Sequence, residues 1–379
     1  MADLARLALG VAGRRQRSLV SRLDMARATG FSYARLRRRE AAELRAQGMG
    51  PRNAIYAEIW RDAAESVGAE YEQLSDEFAE LRRAGARTRV MRQSTELDAE
   101  VTLELASHKG IVHRFLTGAG IPVPEHHAFD ARDLDSAVEF LERGAGGACV
   151  IKPGSGSGGG WGLASNVRTR AQLARAVLNA SRYSDRILIE RQVEGTLHRI
   201  LVLDGEVIDA VARHSPTVEG DGRSTVRELI AAENRRRLDA HGQAGLWPLR
   251  IDLDCLFTLE ARGQSLDGVP AAGEVVTVKH VTNENRLEDN RTVPEPLGEG
   301  LRRECRLSAE LVGLRLAGLD VILRDTSKSL VDAGGVVLEV NGAPGLSHHY
   351  HVADRAQATR VAVPILEKLL SRPQGMTTE

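Results

Sequence analysis

Lysine is scarce in this chain: of 51 basic residues only Lys109, Lys152, Lys279, Lys328 and Lys368 are lysines. Arginine serves wherever a generic cation will do. Each remaining lysine is therefore a candidate for a position that needs a compact, flexible ammonium. Cysteine is scarce too. Cys149, Cys255 and Cys305 are odd in number and far apart, which excludes a disulfide framework and a CxxC metal site. No apolar run approaches the roughly 18–20 residues that a membrane span needs. The net charge of −1 argues against wholesale nucleic-acid binding. What remains is a globular profile, 42% hydrophobic and 27% charged, on a 379-residue chain long enough for two or three lobes. A soluble, cytoplasmic protein without a membrane partner is expected.

The charge is unevenly spread. Residues 1–50 hold eleven arginines against four acids, on segments with helical apolar spacing. Such an extension is either a solvated helical arm packed on the body, as charge runs usually are, or a dock for an anionic surface such as tRNA. From Asn53 to Val67 the apolar positions Ile55, Tyr56, Ile59, Trp60 and Ala63 predict an amphipathic helix. Short strands near Tyr71–Leu74 and Thr88–Met91 follow, then a helix from Ala99 to Gly118 that the Gly120–Pro124 segment breaks. Helices are expected at Asp133–Arg143, Arg170–Ala180, Thr225–Arg237 and Leu301–Ala317. Strands are expected at Ala148–Ile151, Gly162–Val167, Ile187–Ile189, Arg199–Leu203, Leu319–Leu323 and Val336–Val340, with turns at Asp204-Gly205 and Asp332–Gly335. The pattern is α/β or α+β with antiparallel hairpins, not a strict βαβ alternation.

Residues 154–162 contain six glycines and directly follow the Ala148–Ile151 strand and Lys152. Glycine lets backbone N–H groups approach phosphate oxygens closely. A P-loop is excluded, because no Lys-Ser or Lys-Thr follows the glycines. Gly154, Gly156 and Gly159 match the letters of a dinucleotide-binding turn, but the residues after Gly162 read as a strand, so the required helix N-terminus is missing. The remaining design is a strand, a mobile glycine flap and a second strand, with Lys152 at the flap's root to meet phosphates. A plain surface loop is the alternative, although it gives no reason for the lysine.

Two strand-like segments carry acids. Asp320 stands among apolar residues, and alternation places Glu339 and Asn341 on one face of the Val336–Gly342 segment. A carboxylate on a buried strand is costly unless partnered, so the readings are a divalent metal or a salt bridge to an arginine. Combined with a phosphate flap, the metal reading is the stronger, since Mg²⁺ takes hard oxygen ligands.

Lys109, Lys152 with its glycine flap, Glu190 through Gly195, and the set Asp320, Glu339 and Asn341 together resemble the ATP-grasp ligases. The likeness is nearest to the ATP-grasp part of cyanophycin synthetase and of bifunctional glutathione synthetases. Gly220-Asp221-Gly222, followed by Thr225, Leu229 and Ile230, is similar to a signature of that subgroup. So is the run Glu339-Val340-Asn341-Gly342-Ala343-Pro344-Gly345-Leu346.

The resemblance implies an α/β (α+β) ATP-grasp fold, with two α+β subdomains holding ATP between them. A small α/β lobe and a helical basic N-terminal extension would precede them. The boundaries implied are 1–50 for the extension, 51–105 for the small lobe, 106–195 for the N-terminal subdomain with the flap, and 196–372 for the C-terminal subdomain. It implies that Lys109 and Lys152 bind ATP phosphates under Gly158, Gly159 and Gly160, and that Glu190, Gln192 and Val193 meet the adenine. Asp320, Glu339 and Asn341 would hold Mg²⁺ or Mn²⁺. Arg199 and Lys152 would be catalytic, with Arg213, Asn283, Gly345 and His348 toward the substrates.

The activity implied is ATP-dependent amide formation through an acylphosphate, from a peptide or amino-acid carboxylate and an amine acceptor, by a homo-oligomer. A non-catalytic ATP- or peptide-binding regulator, or a ligase for tRNA- or carrier-tethered substrates, is the alternative. The sequence departs from the pattern at Leu197, where some relatives carry an acid for the ribose, leaving Glu194 as a substitute. It also departs at 283–288, where only Asn283 matches the relatives' loop, and no Mur-ligase-like C-terminal half is expected. His348, His349 and His351 invite a zinc reading, but an acceptor-pocket role, with one of them deprotonating the amine, fits their place after the acidic strand better.

Overall fold

The computed structural model describes residues 52–144, 146–155, 160–239, 247–293 and 296–371. The basic extension, Gly158 and Gly159 therefore lie outside the described residues. The described residues begin with a helix over 52–67 that buries Ile55, Tyr56, Ile59, Trp60 and Ala63, the face its spacing predicts. An antiparallel meander follows: β1 (Glu70–Gln73), β2 (Phe78–Arg83) and β3 (Ala86–Met91). The middle strand, absent from the sequence reading, alternates charged residues with the buried Ala79 and Leu81 and turns back on Ala84 and Gly85, both at positive φ. The C-terminal helix Ala362–Leu370 shares one core with this unit.

The helix expected over 99–118 is two helices, Glu100–Ser107 and Lys109–Gly118, because His108 takes a non-helical ψ of 83°. Both lend residues to the core under the later five-stranded sheet, through Ala106, Val112 and Leu116. Next come β4 (His126–Asp130), the helix Leu134–Arg143 capped by Asp133, β5 (Cys149–Pro153) and β6 (Ala164–Val167). The helix Arg170–Ala180 and β7 (Arg186–Arg191) complete this layer. Thr169 and Gln172 form a reciprocal capping box that starts the helix where the sequence predicts. The four strands make an antiparallel sheet in the order β4-β7-β5-β6, with both helices on one face.

The hairpin of β8 (Thr196–Leu203) and β9 (Glu206–Arg213) turns on Asp204 and Gly205, both at positive φ, the backbone that a tight two-residue turn requires. A small pair, β10 (Thr217–Glu219) and β11 (Val275–Thr277), brackets the helices Val226–Asp239 and Leu253–Ala261. With β12 (Asn290–Thr292), β13 (Leu316–Leu323) and β14 (Val336–Gly342), the hairpin completes a five-stranded antiparallel sheet in the order β12-β9-β8-β13-β14. The helix predicted to reach Ala317 ends at Val312, because Gly313 adopts a left-handed cap; Leu316 and Ala317 already belong to β13. Likewise the turn expected at Asp332–Gly335 begins as the short helix Leu330–Ala333, closed by left-handed Gly334.

Register decides what each face of the five-stranded sheet does. Ile200, Leu319 and Val340 are cross-strand neighbours on the face covered by the helix Glu299–Val312. Their chain neighbours Arg199, Asp320 and Glu339 are cross-strand neighbours on the other face. One residue of slip would exchange the apolar row for the charged one, so burial of the first row fixes the position of the second.

Candidate active site

The four- and five-stranded sheets meet across a cavity of ≈ 510 Å³. On the four-stranded side, Val150 and Glu190 are paired in register, and Lys152 follows on the same face. Cys149, Ile151 and Ile189 turn into the core behind. Lys152 Nζ lies 2.7 Å from Glu190 Oε1, with both side chains almost fully buried. On the opposite wall Arg199 grips Asp320 with two bonds, Nε to Oδ1 at 2.8 Å and Nη2 to Oδ2 at 3.0 Å. Lys109, at the start of its helix, reaches across to Glu339 Oε1 at 3.2 Å. Burial works against the Glu339 charge, but Lys109, Lys152 and Arg199 overcome it and draw its pKa down to about 2. Glu339 in turn is the main cause of the raised pKa of Lys109.

A third side is the segment 280–283. The backbone N–H groups of His280 and Val281 both donate to Asp254 Oδ2, at 3.1 and 3.0 Å. This anchoring presents Asn283 to the cavity, against the end of the glycine loop. Gly160 sits at φ +72°, and a side chain there would come within 3.0 Å of the Asn283 amide. Trp161 lines the same wall, with the Arg250 guanidinium stacked 3.9 Å above its ring.

Lys109, Lys152, Gly160, Glu190, Gln192, Val193, Arg199, Arg213, Asn283, Asp320, Glu339 and Asn341 all line this one cavity. Gly345 and His348 do not. They lie beside each other next to Tyr56, and His348 is held well below its ordinary pKa by burial, then by Arg213 and Arg199. Leu197 lines the cavity where an acid was looked for, while Glu194 is exposed and outside it. The Gln192 side chain is committed to the Asn166 backbone at 2.8 Å. Nearby in the chain, Arg286 is paired with Asp289 and Arg291 is exposed.

Arg213 differs from them. It is 2% exposed, donates only to the Thr282 carbonyl at 3.0 Å, and its Nε is buried without a partner. Burial, then Arg199 nearby, lowers its pKa to about 10.

Two contributions escaped the sequence reading. His113 is buried on the cavity wall, one turn after Lys109, and Lys279 anchors the 280–283 segment from behind. The scarcity of lysine was the available signal for Lys279. No sequence signal marks His113.

Among the described residues, no group of three or more His, Cys, Asp or Glu side chains is disposed to hold a metal, and His349 of the histidine run is paired with Asp209. Asp320, Glu339 and Asn341 do offer two carboxylates and an amide at the cavity wall. Asn341 Nδ2 donates to the Gly318 carbonyl at 3.2 Å and Asp320 Oδ2 at 3.3 Å. That hard, partial donor set fits Mg²⁺, which commonly binds through one or two carboxylates and completes its shell with phosphate oxygens and water. Both acids are meanwhile salt-bridged, the other outcome the sequence reading allowed. No helix among the described residues is long and apolar enough to cross a membrane.

No protein-family model matches the chain. Its sequence is 32% identical over 338 residues to cyanophycin synthetase of Nostoc sp. (strain PCC 7120), covering 84% of this chain and 36% of that protein. It is 24% identical over 294 residues to the glutathione biosynthesis bifunctional protein GshAB of Desulfotalea psychrophila, covering 77% and 38%. The chain thus spans little more than a third of the length of these curated relatives. A crystal structure of a bifunctional glutathione synthetase from Pasteurella multocida superposes with a TM-score of 0.51 over 81% of this chain and 42% of that one; at 22% identity it speaks for the fold. These likenesses, joined to the register that sets Lys152 and Glu190 opposite Asp320 and Glu339, place the chain in the ATP-grasp ligase superfamily.

Proposed function

We propose that this protein is an ATP-dependent, ADP-forming carboxylate–amine ligase that makes an amide bond on a peptide or amino-acid carboxylate. The observation that carries the reading is the meeting of three cation–carboxylate pairs, Lys152–Glu190, Lys109–Glu339 and Arg199–Asp320, around one cavity at the root of a glycine loop. A substrate carboxylate oxygen attacks the γ-phosphorus of ATP, the bond to ADP breaks, and an acylphosphate forms. The amine then attacks the acyl carbon, the carbon–oxygen bond to phosphate breaks, and the nitrogen loses a proton.

Charge builds on the transferring phosphoryl group, and Lys109, Lys152 and Arg199 are the side chains that offset it. Asp320, Glu339 and Asn341 would hold Mg²⁺, with Mn²⁺ as a substitute; the ion supplies further charge neutralisation at the phosphates. Arg213, a buried cation lacking a carboxylate partner among the described residues, suits a carboxylate of one substrate. The segment 280–283, on the cavity wall, would help keep water from the acylphosphate.

The test is ADP release with Mg·ATP against pools of amino acids and short peptides, with Lys152→Ala as control. Turnover requiring both a carboxylate and an amine, and lost in the control, is the expected result. ATP hydrolysis indifferent to both would refute the ligase.

A further inference from the structure

The cavity wall holds a group that the proposed chemistry leaves unused. His113 is fully buried, and its Nε2 lies 3.0 Å from the Leu338 carbonyl oxygen. A carbonyl only accepts, so Nε2 carries the hydrogen. In the neutral ring the other nitrogen, Nδ1, is then a bare acceptor. Nδ1 is buried and has no hydrogen-bond partner; 3.7 Å away is Glu190 Oε1, which is also buried and without one. Lys152 Nζ is near enough to Oε1 for an ion pair, at 2.7 Å, but the two are not aligned as a hydrogen bond. Neutrality of the ring follows from its surroundings: burial first, then the Lys152 charge, lower the His113 pKa to about 4.

An acceptor with no donor, set beside a carboxylate oxygen that has only an ion pair, is expensive to bury unless a ligand brings a donor. Val150, paired with Glu190 in the sheet, and Leu338, bonded to His113, also line the cavity and add apolar surface beside the two acceptors. That environment suits the faces of an aromatic base with a donating edge.

We propose that His113 is a specificity-determining residue for the nucleotide: its Nδ1, beside Glu190, accepts from the exocyclic amino group of a 6-aminopurine and rejects a 6-oxopurine. An oxo group would set a third acceptor against the first two. The proposal rests on the ATP-dependent reading of this cavity and adds to it the means by which the base is chosen.

The two ring nitrogens can be tested apart. His113→Gln keeps an amide nitrogen near the ε position, able to donate to Leu338, but has no acceptor at the δ position. His113→Asn keeps a δ acceptor and gives up the ε donor. Binding of ATP and of inosine triphosphate, with Mg²⁺ present, would be measured by calorimetry on the wild type and both variants, with thermal melting to establish folding. The expected result is a wild-type preference for ATP that falls at least about 10-fold in His113→Gln and survives in His113→Asn, whatever either does to overall affinity. An unchanged preference in His113→Gln overturns the proposal, as does a wild type that binds both nucleotides equally. A wild type that binds neither would bring down the ATP reading together with it.

Discussion

Two buried lysines of this protein have carboxylate partners, and the difference between them separates architecture from chemistry. Lys279 donates to Asp252 at 2.8 Å and to Glu284 at 2.9 Å, and Glu284 also receives the backbone N–H of Arg250 at 2.8 Å and the Arg250 guanidinium. Burial opposes the Lys279 charge, but Asp252 and Glu284 outweigh it and raise its pKa. That cluster is closed. Lys152, by contrast, has one carboxylate at ion-pair distance, imperfectly aligned, and faces an open cavity beside the equally single pair Lys109–Glu339. A closed network holds the fold, while an open one is poised to exchange its partners for a ligand's charges.

The comparison breaks most visibly at Lys279. Lys279→Met leaves Asp252 and Glu284 to share Arg250 in the interior, where losing one partner of a buried pair costs about 3–5 kcal/mol. Urea unfolding should show a loss of that size, and a change below about 1 kcal/mol would mean that the cluster is not structural. Lys152→Ala should do the reverse. The cavity has room for water to resolvate Glu190, so the melting temperature should move little. Turnover should fall by about 10²–10³-fold, the usual effect of deleting one preorganised charge donor. A large stability loss with intact turnover would exchange the roles assigned to the two lysines.

Acid tests the buried titratable groups of the whole molecule. His113, His198, His348, His349 and His351 all have pKa values lowered chiefly by burial, to about 4 for His113. The unfolded chain binds protons at these rings below about 6.5 while the folded chain does not. Stability is therefore complete above that pH and falls as pH drops toward 4, by up to about 1.4 kcal/mol per pH unit per ring. Glu339 acts in the same direction at lower pH: its folded pKa of about 2 contributes stability above its unfolded value, and this is lost as pH falls from about 4.5 toward 2. Urea unfolding between pH 7 and 4 should show the first decline in the wild type and a shallower one in His113→Gln. Equal slopes would show that His113 is charged in the folded state.

What could be read in advance followed from local rules, and what could not depended on remote partners. The capping box at Thr169, the Asp204-Gly205 turn and the alternation around Asp320 and Glu339 are written in neighbouring residues. The sequence resemblance then supplied the lysines. Arg199 was legible as a cation on a strand, but its grip on Asp320 depends on a strand 121 residues further along the chain. His113 was illegible for the same reason, since its bond to Leu338 spans 225 residues. The break at His108 has no marker in the residues around it, and the structure offers no physical reason for it.

The closed cluster and the open cavity meet at Gly160, where the smallest effect is expected and the most is learned from it. Lys279 and Asp254 hold the segment whose Asn283 touches the end of the glycine loop. Gly160 occupies left-handed backbone, which costs an alanine about 1–2 kcal/mol, and an added methyl would press on the Asn283 amide at 3.0 Å and Val281 at 3.1 Å. Because the cluster keeps that segment from yielding, the strain falls on the loop. Gly160→Ala should therefore raise KM for ATP by about tenfold while lowering the melting temperature by only about a few degrees. Combined with Lys279→Met, which releases the segment, the same substitution should raise KM less than it does alone. Additive effects on KM would show that the cluster supports the fold without supporting the cavity, since independent sites add and coupled ones do not.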